Sequence, residues 1–128
     1  MSDMANDILK ILRKHDCVGS VMYWPELIDE LEKMGHDCHG ETAICAGGNF
    51  PHVVFWVGVN LAFVTGINEL LRQEFINKWA SPNPMLAALT YPSIPRLPLA
   101  TNRRVKSGKA DCWLPSGVVL TQAGGVSA

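Results

Sequence analysis

At 128 residues, 48% of them hydrophobic, the chain is long enough to bury a core without staples and short enough to be one domain. Its most apolar stretch, Val53 to Phe63, is interrupted by Gly58 and Asn60, so no run approaches the roughly 18 residues that a membrane-spanning helix needs. The formal net charge of -1 hides a split: residues 1–74 carry 5 basic and 11 acidic side chains, residues 75–128 carry 6 basic and 1 acidic, and only the second part suits a polyanion.

The N-terminal residues include Asp3 and Asp7 where a secretory leader would place basic side chains, which argues against export. Cys17, Cys38, Cys45 and Cys112 are too few and too irregularly spaced for a disulfide framework in a chain with its own core. Free thiols in a reducing cytoplasm are expected. One domain over residues 1–120 and a flexible tail over 121–128 follow from the Gly-rich, weakly apolar C-terminus.

A first helix is expected from Asn6 or Asp7 to about His15, with Ile8, Ile11, Leu12 and His15 on one side and Leu9 widening the stripe. Gly19 and Ser20 end it, and Val21 to Tyr23 are extended. Pro25 suits the first turn of a second helix and Gly35 its C-terminal cap. Leu27, Ile28, Leu31 and Met34 form its buried stripe, and its outer face is acidic. Residues 36–52, with Gly40, Gly47, Gly48, Asn49 and Pro51, read as a loop or irregular insert anchored by Ile44.

Val53 to Val57 has the composition of a buried strand. A third helix is predicted from Asn60, as cap, to Gln73, with Leu61, Val64, Ile67, Leu70 and Leu71 on one face and Thr65, Asn68, Glu69 and Arg72 on the other. Gly66 weakens it by about 1 kcal/mol relative to Ala unless close packing requires the missing side chain. Prolines exclude long helices beyond Gln73. Strands are expected at Phe75 to Ala80, Met85 to Tyr91 and Cys112 to Leu120, with an edge at Leu97 to Ala100, and residues 101–109 form a basic loop.

Three helices followed by hairpin-like strands, in an α+β chain, resemble a winged helix-turn-helix domain over about Asp7 to Tyr91, with a strand-rich C-terminal extension. Asp111 to Pro115 after a basic loop looks like the ending of a small prokaryotic or phage-type member. The resemblance implies that Pro25 to Met34 is the supporting helix, Asn60 to Gln73 the recognition helix and Phe75 to Tyr91 the wing. It implies DNA binding without catalysis, in a small transcriptional regulator or phage-encoded factor that pairs half-sites as a homodimer. The many apolar and aromatic residues also favour a homodimer. A protein-interaction module, in which the acidic second helix or an apolar wing docks a partner protein, is the alternative, and a zinc-stabilised adaptor is a third reading.

The residues that could carry nucleic-acid binding fall into two groups. Arg96, Arg103, Arg104, Lys106 and Lys109 lie within fourteen residues that hold no carboxylate. Together with Lys78 they could neutralise phosphates, or they could simply form a solvated loop. On the third helix, Asn68, Arg72 and Gln73 can hydrogen-bond base edges, and Thr65 can meet a thymine methyl or a phosphate.

His36, Cys38, His39 and Cys45, with Cys17, are zinc-ligand types, but their spacing matches no finger pattern and contains no C-x-x-C pair. Buried thiols and surface histidines are the plainer reading. Gly47-Gly48-Asn49 lacks the Gly-Lys-Ser/Thr of a phosphate loop. Cys45 with His52 or His36 is the only conceivable nucleophile and base, so no enzyme activity and no cofactor are expected. Trp24, Trp56, Trp79 and Trp113 lie one per element, which core and subunit packing explains more simply than base stacking, although Trp79 on a wing strand could do either.

Overall fold

A computed structural model describes residues 1–47, 50–89, 91, 94–100 and 111–125. Ser2, rather than Asn6 or Asp7, opens the first helix: its hydroxyl accepts from the Ala5 amide at 3.1 Å. Helix α1 (Asp3–Lys14) therefore starts a turn earlier than expected, and the added turn buries Met4 and Ala5. Ile8, Leu9, Ile11 and Leu12 are buried as the stripe predicts, whereas His15 is exposed beyond the last turn.

Strand β1 (Met22–Tyr23) leads directly into α2 (Trp24–Lys33), whose second residue is Pro25. Leu27 and Leu31 are fully buried and Met34 is exposed. Helix α3 (Leu61–Arg72) is capped by Asn60, whose side-chain oxygen accepts from the Phe63 amide at 2.9 Å. Its buried side is Phe63, Gly66, Ile67 and Leu70, and Leu61 faces solvent instead of the core.

The expected loop over residues 36–52 is instead largely a hairpin, β2 (His39–Gly47) against β3 (Phe50–Val59). The glycines suggested turns, but Gly40 serves a close approach: a Cβ there would lie 2.7 Å from the Asn60 Cα. The pairing is antiparallel with several register shifts, and Ile44 is the residue of β2 that is buried, at 4% exposure. A β-rich partner strand has overridden the local preference of the glycines.

Strand β4 (Ile76–Ala80) matches expectation. The segment Met85 to Tyr91 does not, because residues Pro84–Ala88 form a short helix, α4. Asn83 caps it and Pro84 occupies its first turn, where a missing N–H costs nothing.

The expected strand Cys112 to Leu120 divides into β5 (Cys112–Trp113) and β6 (Ser116–Leu120). Pro115 has no N–H for a ladder, and the chain turns there from one sheet to the other. The expected edge at Leu97 to Ala100 is a single bridge between Leu99 and Trp113. Part of the expected tail is a final turn, α5 (Gln122–Gly125), docked so closely that a Cβ on Gly124 would fall 1.9 Å from the Phe75 carbonyl oxygen.

The result is a mixed α+β fold with two three-stranded sheets among the described residues. In one, β6 lies between β1 and β4, antiparallel to both. In the other, β3 lies between antiparallel β2 and parallel β5. The main core joins α1, α2 and α3 to the inner residues Met22, Ile76, Val118 and Leu120 of the first sheet. Gly66 belongs to this core, since an added Cβ would sit 2.9 Å from Met4 Cγ and 3.3 Å from Ile8 Cδ1. Its missing side chain lets α3 approach α1, which offsets the cost in helix propensity.

Candidate nucleic-acid interface

Thr65, Asn68 and Arg72 occur at i, i+3 and i+7, so α3 brings them to one face. All three are exposed, and with Leu71 they line an open depression of about 380 Å³. Leu61 extends the same exposed face toward the start of the helix. Gln73 follows at the C-terminal cap, also exposed. Glu69, which shares the polar side, points its carboxylate at the start of α1 and accepts from the Ser2 amide at 2.8 Å. Part of its acceptor capacity is thus already used within the fold.

Lys78 on β4 is placed differently. Its ammonium donates to the Cys45 carbonyl at 2.9 Å and stands 5.7 Å from the centre of the Phe55 ring. Burial lowers its pKa, with the nearby Cys45 opposing the shift. These contacts tie the first sheet to the β2–β3 hairpin. Arg96 is exposed, and Arg103, Arg104, Lys106 and Lys109 lie outside the described residues. Their place in the chain is between α4 and β5.

The zinc-ligand types are dispersed. His36 Nε2 is 2.6 Å from Asp7 Oδ2, and His39 Nδ1 is 3.0 Å from Glu32 Oε1. Cys17 and Cys38 are buried, while Cys45 is exposed on β2. Among the described residues no three His, Cys, Asp or Glu side chains gather where they could hold a metal ion. Burial, with Glu32 and Asp37 adding to it, pushes the Cys38 thiol up to about 11. It acts as a packed apolar group at neutral pH. Gly47 closes β2, and Gly48 and Asn49 lie outside the described residues. His52 is half-buried on β3, and its Nε2 has no hydrogen-bond partner among the described residues.

A cleft of about 360 Å³ opens between α2 and the hairpin, lined by Asp29, Glu32, His39 and Trp56 among others. Its carboxylates already have neighbours: Asp29 is 3.2 Å from the Lys33 ammonium, and Glu32 Oε1 is 3.0 Å from His39 Nδ1. A cationic ligand would have to displace both.

The tryptophans are less scattered than their spacing implies. Tyr91 sits among Tyr23, Trp56 and Trp113, with ring centres 5.2, 5.6 and 5.0 Å away, and Trp79 joins through Tyr23. Trp24 stands apart, edge-on to Phe63. Trp113 donates to the Phe55 carbonyl at 3.0 Å, and Trp24 to the hydroxyl of buried Ser116 at 2.9 Å. Buried indoles with paired N–H groups are structural, and this aromatic cluster locks the two sheets together.

Among the described residues, no helix is long and apolar enough to cross a membrane. Comparison of the chain with protein-family models, with curated proteins and with solved structures gives no match.

Proposed function

We propose that this chain is a nucleic-acid-binding module of winged-helix type that acts without catalysis in a regulatory role. The observation that carries the reading is the order β1-β6-β4 in the first sheet. The strand after the first helix pairs with the returning strand of an antiparallel pair that begins directly after α3. This is the arrangement in which a third helix is presented beside a wing, as in winged relatives of the helix-turn-helix. The β2–β3 hairpin is then an insertion between supporting and recognition helices. It takes the place of the usual turn of about 3 to 4 residues.

Two further features support the assignment. The exposed side of α3 offers Thr65, Asn68 and Arg72, which can contact bases and phosphates. The basic residues Arg103, Arg104, Lys106 and Lys109 fall between α4 and β5 in the chain, within the long return from β4 to β6 that would take the place of the wing, where they would supply phosphate contacts. Lys78, bonded to Cys45, would contribute to that binding mainly by positioning the hairpin.

The test is titration of a labelled duplex over a range of salt concentrations. Affinity is expected to fall steeply with salt, and replacing Arg103, Arg104 and Lys106 with Ala should flatten the log–log slope by roughly one unit per cation removed. Asn68→Ala should alter preference among duplex sequences more than general affinity. Salt-independent binding, or none, would remove the reading and leave the protein-interaction module, whose apolar contact would be insensitive to salt.

A further inference from the structure

We propose that the outer face of α4 is the contact between two copies of this chain. Met85, Leu86 and Leu89 fall at i, i+1 and i+4 and are exposed to 73, 63 and 81%; Ile94, just beyond the helix, is exposed to 60%. Short apolar segments of this kind often belong to mobile loops, but this one is fastened at both ends. The amide of Ser81 donates to the Pro115 carbonyl at 2.9 Å, and the phenol of Tyr91 is bonded to Ser116. Ala87 is buried at 7% exposure. The fold thus holds three large apolar side chains outward on a fixed helix.

The chemistry selects the occupant. From Trp79 to Pro95 the chain contains no charged residue, so the face has little to offer phosphates. The nearest cations in sequence are Lys78, which is bonded to the Cys45 carbonyl, and Arg96, and neither belongs to α4, whereas interfacial helices carry Lys and Arg on their own polar face. A second copy of the same neutral surface can meet it across a two-fold axis without burying any charge. Met85, Leu86 and Leu89 expose on the order of 400 Å² per copy. Two copies would bury about 800 Å² through these side chains alone, and the rim that closes round them brings the contact toward the roughly 1,000 Å² of a specific interface. The inference goes beyond the nucleic-acid reading and does not depend on it, although a two-fold dimer would also duplicate the α3 face for paired half-sites.

Sedimentation of the full chain tests it. The wild type is expected at twice the 14.0 kDa chain mass. Leu89→Asp should weaken association by at least about tenfold, since each large apolar side chain lost from such a contact is worth more than one decade. Met34→Asp, at another exposed apolar position, should leave the dimer intact. Circular dichroism should be unchanged in both variants; if Leu89→Asp loses its spectrum, the milder Met85→Gln/Leu89→Gln pair carries the same test. A wild type that stays monomeric, or a folded Leu89→Asp (or the Gln pair) that associates like the wild type, overturns the inference. A dimer that ignores duplexes would count against the nucleic-acid reading alone, and a monomer that binds them against this one alone.

Discussion

The phenol of Tyr91 holds both backbone groups of Ser116, donating to its carbonyl at 2.5 Å and accepting from its amide at 2.9 Å. Ser116 is fully buried, so water cannot replace either bond. Tyr91→Phe is therefore expected to cost about 1–3 kcal/mol, the range for leaving buried polar groups unpaired. Ser116→Ala should cost a similar amount, because the Trp24 indole N–H then loses its acceptor. Urea unfolding followed by tryptophan fluorescence measures both, and an unchanged midpoint in either variant would show that the bond is dispensable.

Alkali should destabilise the fold through its buried acids, among which Cys38 and Tyr91 are shifted most. The Cys38 thiol is raised from 9.0 to about 11, chiefly by burial. A folded pKa above the unfolded one means that the native state keeps its proton longer, so the contribution is complete below pH 9 and is lost as pH rises toward 11. Tyr91, also raised chiefly by burial, acts in the same direction above its ordinary value of 10.0. Urea midpoints should fall from pH 9 to 11, and Cys38→Ala should flatten that decline. An equally steep decline in the variant would assign the effect elsewhere.

Gly66 is the position where α3 meets α1. Gly66→Val places two methyl-bearing branches where a single Cβ already lies 2.9 Å from Met4 Cγ, and the expected cost is about 1–3 kcal/mol. Ala62→Val, on the exposed side of the same helix, adds a β-branched side chain without the clash and should cost about 0.5 kcal/mol, whereas replacing Gly by Val slightly raises helix propensity, so that the loss at Gly66 is steric. Equal effects at the two positions would mean that the helices separate easily.

Lys78→Met should speed hydrogen exchange at the amides of β2, because the bond from the ammonium to the Cys45 carbonyl disappears. The methionine retains much of the apolar contact with Phe55. Duplex affinity should change by less than a Lys-to-phosphate contact would require, about one unit of salt slope. A full unit lost would return Lys78 to the phosphate-binding group.

Much of this architecture is legible in residue pattern. The capping oxygen of Asn60 and the spacing of Ile67 and Leu70 locate α3, and the same spacing sets Thr65, Asn68 and Arg72 on one side. Strand β3 follows from its β-branched composition. Strand β2 is hidden because its reason lies elsewhere: Gly40 avoids Asn60, which is twenty residues away in sequence. Helix α4 did leave a signal. Asn83 and Pro84 form a cap and first turn before Met85-Leu86-Ala87-Ala88, strong helix formers without a β-branched residue. Hydropathy alone reads that run equally well as a strand. The commitment of Lys78 to Cys45 and the clustering of aromatics around Tyr91 depend on tertiary pairings that no local pattern contains.

Leu114 and Pro115 separate β5 from β6, and each is bonded outward: the Leu114 amide to the Val54 carbonyl, and the Pro115 carbonyl to the Ser81 amide. Two residues allow almost no slack. A force tilting the hairpin is consequently delivered to the middle strand of the opposite sheet, and from there to both of its neighbours. A ligand gripping either layer is therefore expected to stiffen the other.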